Sequence, residues 1–557
     1  MFLAVRLALG AAVWLSGGVA LAQVAPQIDP GRAPERVAPP PAPAPRPALP
    51  ELPKPGGEVP DALRSVKVVL REVAIEGTSL LLPQAQEIAS GFVGPTITGA
   101  DIFELARSLT ALYRNAGYLL TVVIVPPQDL SAGRLRLRVI EGYVANVRVE
   151  GDPAVGGRLT QLGEKIKASR PLHADDLERY LLLANDLPGV RVRAVLAPSK
   201  TPGAADLTLV ATVKRADGYA SLDNYGSKYL GPGQFTVGAT GSQVFGIDDQ
   251  WRLVGLTTGN GELNYGQFSY SQVVSTEGLK LGANVWESRT NPGDALEPLD
   301  LQGRAIAGAV SAAYPFLRTR NQSVLGRALF DARNITTDVP TDAGPVRLVE
   351  DRIRALRFGL LWLTADRLEG QNALDVEFSQ GVGGTKKDDP LKSRAGADGK
   401  FSKIVFDYER LQRLGSRFVV TLGAAAQWTS EPLLASEQYA LGGRRFGRAY
   451  EPAELTGDRA LAFRMEPAYL NRVEWFAYQL YAFYDIGKVW YQDDPSLVTP
   501  RSAQSLASAG FGTRVLGNEW ISAGLELAKP LTKPVASYVA SGNGDRARVL
   551  ASVTVRF

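Results

Sequence analysis

The chain has 557 residues, 61 Lys and Arg against 57 Asp and Glu, a single histidine and no cysteine. That length predicts several domains, and the near-balanced charge excludes the broad basic field of a nucleic-acid binder. An exported chain without cysteine forgoes disulfides and must be held by its cores and its backbone ladders.

Residues 1–22 carry Arg6, then the apolar run 7–21, and end in Ala-Leu-Ala before Gln23, the small-x-small pattern of a signal peptidase site between Ala22 and Gln23. The run is short for the roughly 20 residues that span a bilayer, so cleavage rather than anchoring is expected. Residues 23–64 are dominated by Pro and Ala, a composition that favours extended polyproline II and offers no helix. They read as a periplasmic tether, too rich in Pro to offer a helix that would plug a pore, and the sequence leaves open whether they plug one.

Two units of one plan follow, at 65–142 and 143–216. The first predicts a strand at 66–76, helices at 82–92 and 101–116, and strands at 119–125 and 133–141. Its second helix places Ile102, Leu105, Leu109, Leu112 and Tyr113 on one stripe, with Gly117 where its C-terminal cap belongs. The second unit predicts a strand at 144–150, helices at 158–168 and 174–185, and strands at 190–197 and 206–214. His173, at the start of the latter helix, reads as a solvated residue; with no Cys beside it, no Ser-His-Asp, Cys-His or zinc set is supported. The pairs Asp248-Asp249, Asp388-Asp389 and Asp493-Asp494 lack the spaced ligands and Gly of a calcium loop, and no phosphate-cradling Gly-Lys-Ser/Thr is present. No catalytic residue, cofactor or metal is expected.

From 217 to 557 the chain divides into amphipathic runs separated by Gly, Asp, Asn and Pro. Sixteen segments begin near residues 218, 233, 250, 263, 278, 301, 321, 350, 371, 399, 415, 459, 474, 503, 519 and 546. Each is long enough for the roughly 9–11 tilted residues that cross a membrane, and an even count closes an antiparallel barrel with both ends on one side. The last segment puts Val549, Ala551, Val553 and Val555 on one face, Arg548, Ser552, Thr554 and Arg556 on the other, and ends in the aromatic Phe557, read as a barrel assembly signal. The segment at 474–490 puts Phe476, Tyr478, Leu480, Ala482, Tyr484 and Ile486 on one face and Asp485 on the other. A carboxylate on the lipid face would be expensive, so Asp485 is expected in the lumen. The Gly- and Arg-rich stretch around 430–458 reads as a loop folded into that lumen. The fold class is therefore α+β domains followed by an all-β transmembrane barrel of 16 antiparallel strands.

These residues resemble a known family. Ile75-Glu76-Gly77-Thr78, Ala116-Gly117-Tyr118-Leu119, Pro126-Pro127-Gln128-Asp129-Leu130, Gly133-Arg134-Leu135 and Val139-Ile140-Glu141-Gly142 are similar to the first POTRA domain of two-partner secretion transporters. Leu177-Glu178-Arg179 with 183–190 resembles the second, and Leu222-Asp223-Asn224-Tyr225-Gly226-Ser227 the opening of that family's barrel. These are the TpsB transporters, the ShlB/FhaC/HecB haemolysin activation/secretion family, related to the BamA-type barrel superfamily. In that family an Arg of a Val-Arg-Gly-Tyr/Phe motif on the sixth extracellular loop reaches an Asp of a Phe-x-Asp-x-Gly motif on strand thirteen. Phe483, Asp485 and Gly487 match the strand motif. Gly447-Arg448-Ala449-Tyr450 departs from the loop motif, with Gly for Val and Ala for Gly; Arg448 matches the pairing Arg, with Arg444 and Arg445 as rivals.

The resemblance implies an outer-membrane transporter, POTRA domains in the periplasm, that recognises an unfolded partner exoprotein (adhesin- or haemolysin-like, TpsA type) and passes it through its barrel. Periplasmic chaperones, the barrel assembly machinery and outer-membrane lipid are implied partners. The alternative is an outer-membrane assembly factor, a barrel insertase, which shares both motifs but typically carries more POTRA units. A diffusion porin would need neither the paired units nor an Arg-bearing inward loop.

Overall fold

The computed structural model describes residues 26–37, 64, 66–474, 476–492, 503–517, 520–532 and 546–557. Ala22 and Gln23 lie outside them. Sixteen strands close into one antiparallel barrel. In chain order they are β1 Ala216–Asp223, β2 Gln234–Ser242, β3 Asp249–Thr258, β4 Leu263–Val273, β5 Lys280–Thr290, β6 Gln302–Arg318, β7 Gln322–Thr341, β8 Gly344–Ala365, β9 Gly370–Gly384, β10 Ser402–Leu414, β11 Phe418–Thr429, β12 Arg459–Arg472, β13 Phe476–Trp490, β14 Ala503–Gly517, β15 Ile521–Pro530 and β16 Arg548–Arg556. Each expected segment corresponds to one strand, the start of β8 being displaced most, to Gly344.

Alternation decides which way the side chains point. Phe358, Phe378, Phe406, Leu461, Leu480, Ile486, Phe511, Val549 and Val553 are exposed on the outer wall, while their neighbours Arg357, Ser379, Asp485 and Leu550 are buried within. The β12–β13 ladder pairs Met465 with Tyr484 and resumes at Ala468 with Tyr481. Between them stands Pro467, which has no N–H to donate. Closure of β16 on β1 runs over five pairs, Ser552–Asp223 to Arg556–Tyr219, and is extended by mutual 2.9 Å bonds between the backbones of Gly218 and Phe557.

The two N-terminal units share one topology. The first has the sheet order Glu72–Glu76, Arg134–Ile140, Val122–Ile124, the second the order Tyr143–Gly151, Ala204–Val213, Val190–Pro198, and in each the first pair is parallel and the second antiparallel. Helices α1 Leu82–Ser90 and α2 Gly99–Asn115 cover the first sheet, and α3 Gly156–Ala168 and α4 Ala174–Asn185 the second. Thr98 and Asp101 form a capping box at the start of α2. At its other end Gly117 (φ +95°) and Tyr118 donate to the carbonyls of Arg114 and Tyr113, the crossed bonds of a Schellman motif. The strand expected at 66–76 is two: Lys67–Val69 pairs with Thr96–Thr98, and the chain turns at fully buried Leu70 before Glu72–Glu76 joins the main sheet.

Two expectations need correction. His173 caps α4 by accepting from the Asp175 N–H, but its ring is not simply solvated: it stacks edge-on to Tyr118 and lies 3.2 Å from the Ala116 carbonyl, joining the two units. The Cβ that Gly117 lacks would fall 2.5 Å from that ring. Residues 26–37, read as part of a periplasmic tether, instead pack inside the barrel, with a 3₁₀ turn at Pro30–Arg36. Pro at the first position of a turn presets φ and loses no needed N–H, so a Pro-rich stretch that cannot make an α-helix still makes this compact one.

Candidate functional site: the anchored loop in the barrel lumen

Residues 430–458 run from the end of β11 into the lumen. They form a 3₁₀ turn at Ala435–Glu437 and a short hairpin of Tyr439–Leu441 with Leu455–Gly457. Leu441 packs where Gly487 of β13 has no side chain; a Cβ there would stand 2.7 Å from the Leu441 Cδ1. At the tip, Gly447 adopts φ +83° and a Cβ would fall 2.5 Å from Leu506, so this position accepts only glycine.

Arg448 is 5% exposed and Asp485 is fully buried. The Arg448 Nε and Nη2 donate to the two Asp485 carboxylate oxygens at 3.0 and 3.1 Å, and its backbone N–H adds a third bond at 3.3 Å. Nη1 donates to Glu466 on β12 at 2.8 Å and to Glu526 on β15 at 3.1 Å. The guanidinium also lies 3.6 Å from the centre of the Phe483 ring, a cation–π contact. Gly510 on β14 makes room for that ring. Tyr450, 1% exposed, donates its hydroxyl to the Ala507 carbonyl at 3.2 Å. The structure thus brings Arg448, Tyr450, Phe483, Asp485, Gly447 and Gly487 together.

The rival arginines have partners of their own: Arg444 pairs with Asp223 on β1, and Arg445 with Asp407 on β10. Sequence reasoning missed the opposite anchor. Glu437, at the 3₁₀ turn, accepts from Arg357 of β8 at 2.7 Å and pairs with Lys403 of β10 at 2.7 Å and Arg333 of β7 at 3.4 Å, while Arg357 also holds Asp331 at 2.6 Å. A third tie crosses the loops: Arg394 pairs with buried Asp458 and donates to the Gln492 carbonyl at 2.9 Å, and Asp458 accepts from the Leu433 and Gln492 N–H groups. For Arg333, Arg357, Lys403 and Asp331 the signal in the sequence is a charge at an inward strand position; Glu437, Arg394 and Asp458 lie in loops, where alternation says nothing.

At the other end, the second unit sits on three hairpin turns. Arg158 of α3 donates to Asp248 at 2.7 Å and to the Val273 carbonyl at 3.2 Å. Glu277 accepts from Tyr180 at 3.1 Å and pairs with Lys165 at 3.0 Å and Arg179 at 3.3 Å. Arg318 holds Asp186 through two 2.7 Å bonds. Burial pushes the Glu277 carboxyl up, and the bonds and charges of Lys165, Tyr180 and Arg179 outweigh it, leaving the group below its ordinary value.

Residues 205–515 match the family model described as haemolysin secretion/activation protein ShlB/FhaC/HecB, and residues 68–142 that of the POTRA domain, ShlB-type. The chain belongs to this family. It is 23% identical over 483 residues, 84% of either chain, to the heme/hemopexin transporter protein HuxB of Haemophilus influenzae. Its fold is similar to that of CdiB from Escherichia coli (TM-score 0.70, 18% identity, 90% of this chain and 93% of that one) and of CdiB from Acinetobacter baumannii (TM-score 0.60, 14% identity, 91% and 95%). The family is that of two-partner secretion outer-membrane transporters. The barrel accordingly lies in the outer membrane with its POTRA domains in the periplasm, and membership implies a secreted TpsA-type exoprotein as partner.

Proposed function

We propose that this transporter receives an unfolded partner exoprotein in the periplasm through its two POTRA domains and passes it, extended, through the barrel to the cell surface. The observation that carries the reading is a lumen filled by a folded loop held through charged side chains, above POTRA domains seated on the periplasmic turns. A loop fixed by ion pairs closes the resting pore and leaves it when those pairs are exchanged for water or cargo. The outward edges of the POTRA sheets, Glu72–Glu76 and Val122–Ile124 in the first and Tyr143–Gly151 and Val190–Pro198 in the second, accept an extended cargo segment as an added strand, in which backbone bonds tolerate sequence and side-chain pockets select it.

Arg448 and Asp485 act in this reading as the lock of the sixth loop, with Phe483, Tyr450, Gly447 and Gly487 as its seat. Phe557, on Gly218 at the seam, presents the signal to the assembly machinery, periplasmic chaperones deliver the cargo unfolded, and the outer wall meets outer-membrane lipid. The test is secretion of a TpsA-type exoprotein co-expressed with the chain. Arg448→Ala and Asp485→Ala lower it while the barrel remains inserted, and deletion of 66–142 abolishes it. Secretion at the normal level in all three variants refutes the proposal.

A further inference from the structure

The lumen wall carries polar and charged positions, as a water-filled barrel requires, and apolar patches covered by the inward loops. A further apolar patch lies on β3 and β4. Val254 and Leu256 of β3 and Leu263 and Tyr265 of β4 point inward and are buried, while Leu253 and Phe268, with the opposite parity, face outward. They form one apolar cluster with Ile28 and Ala33 of the N-terminal segment. Beside this patch, the Ser288 hydroxyl of β5 donates to the Pro30 carbonyl at 2.5 Å and the Thr290 hydroxyl to the Ile28 carbonyl at 3.3 Å. Both hydroxyl residues are buried. Gly303 of the neighbouring strand β6 has no side chain where Pro30 packs, so the segment lies close against the wall.

The spacing is what generalises. Ser288 and Thr290 are consecutive inward positions of one strand, and they meet the Pro30 and Ile28 carbonyls on either side of Asp29, the one extended residue (φ −60°, ψ +114°) between two 3₁₀ turns, with the segment running antiparallel to β5 there. An extended polypeptide presents like-facing carbonyls about every 6.6–6.8 Å, the same repeat as alternate positions of a strand, so the hydroxyl pair can read backbone without reading sequence. The apolar patch adds a preference for a branched or aromatic side chain at one position. Without the segment, the patch would face water inside a polar channel, an unfavourable exposure.

We propose that the β3–β5 wall is a docking track for polypeptide within the lumen, occupied at rest by residues 26–37 and during transport by an extended, unfolded stretch of the exported partner that places an apolar side chain in the Ile28 pocket. This rests on the transport reading above and names the place in the barrel where the cargo chain lies. The resting segment holds the position of the cargo.

The test uses planar bilayers containing the full chain or the chain lacking residues 26–37. The probes are a synthetic peptide of alternating Val and Ser, equal in length to that segment, and a control of alternating Asp and Gly. Deletion is expected to raise single-channel conductance. The Val–Ser peptide then blocks the deleted channel at a concentration at least about tenfold below that of the control, a difference of one decade in affinity, and blocks the full chain about tenfold less well. Leu256→Asp removes the preference. The milder pair Ser288→Ala with Thr290→Val, chosen so that a folded barrel is kept, weakens it severalfold, with heat-modifiable migration on gels reporting the fold.

Unchanged conductance on deletion, equal block by the two peptides, or a preference untouched by both sets of substitutions overturns the track. Export of the partner, followed in the same variants, separates the two claims. Selective block with no export of any partner refutes the transport reading, whereas export with equal block refutes the track alone.

Discussion

Arg448→Ala takes one cation out of a site that holds three carboxylates, Asp485, Glu466 and Glu526. Breaking a buried pair by removing one partner costs about 3–5 kcal/mol, because the charge left behind is uncompensated. Here the lower end applies. Glu466 keeps two bonds from Arg514, at 2.5 and 3.0 Å, Glu526 keeps the Tyr481 hydroxyl at 2.9 Å, and Asp485 keeps the Ser508 hydroxyl at 3.3 Å. About 3 kcal/mol at roughly 1.4 kcal/mol per decade raises the released population of the loop tip about a hundredfold. Since the chain contains no cysteine, Leu441→Cys supplies a single thiol, buried against Gly487 until the loop leaves. The labelling rate of that thiol by a polar maleimide, compared with and without Arg448→Ala, measures the release. A rise smaller than about threefold would mean that the Arg448 fork does not hold the loop.

Glu437→Gln leaves Arg357 and Arg333 with Asp331, and Arg357 also with Glu377 at 4.0 Å, while Lys403 loses the carboxylate it pairs with, and is expected to raise the same labelling rate on the order of a hundredfold; an unchanged rate would count against a second anchor. Gly31→Val places a side chain where a Cβ alone would fall 2.6 Å from the Ile335 Cδ1, so the N-terminal segment cannot seat, and conductance should match that of the chain lacking 26–37. Protonation of Glu277 weakens POTRA docking. Its folded-state value lies below the ordinary one, so its contribution is complete above about pH 4.5 and is lost as pH falls through the lowered value. Energy transfer between labels on the second POTRA domain and the β4–β5 turn should show the loss in the wild type and not in Glu277→Gln. Arg394→Ala frees Asp458 from its cross-loop tie and should make the β9–β10 loop, residues 385–401, several times more sensitive to added protease on whole cells.

The barrel was legible because its signal is local. Each strand carries its own record of inside and outside, as in Val549, Ala551, Val553 and Val555 against Ser552 and Thr554 of β16. Family motifs added the pairing of Arg448 with Asp485, across 37 positions. Neither source reaches the Glu437 anchor, in which Arg357 is 80 positions away: alternation assigns each charge to the lumen but not to a partner around a closed cylinder. The N-terminal segment escaped for a different reason. Proline content excludes an α-helix, and that exclusion was extended to all compact structure, whereas a 3₁₀ turn starting at Pro30 and the apolar contacts of Ile28 and Ala33 suffice to seat it.

The two anchors of the loop carry opposite signs, and that constrains how it opens. Glu437 reaches three cations, Arg333, Arg357 and Lys403 of β7, β8 and β10, with Asp331 beside them; Arg448 reaches three carboxylates, Glu466, Asp485 and Glu526 of β12, β13 and β15, with Arg514 of β14 beside them. Full withdrawal of the loop would leave both walls with unpaired charge of opposite sign in one confined lumen, each charge losing a partner that water replaces only in part. Releasing one anchor while the other holds exposes half of that imbalance at a time. Sequential release, with the still-anchored end as hinge, therefore has a lower barrier than concerted exit.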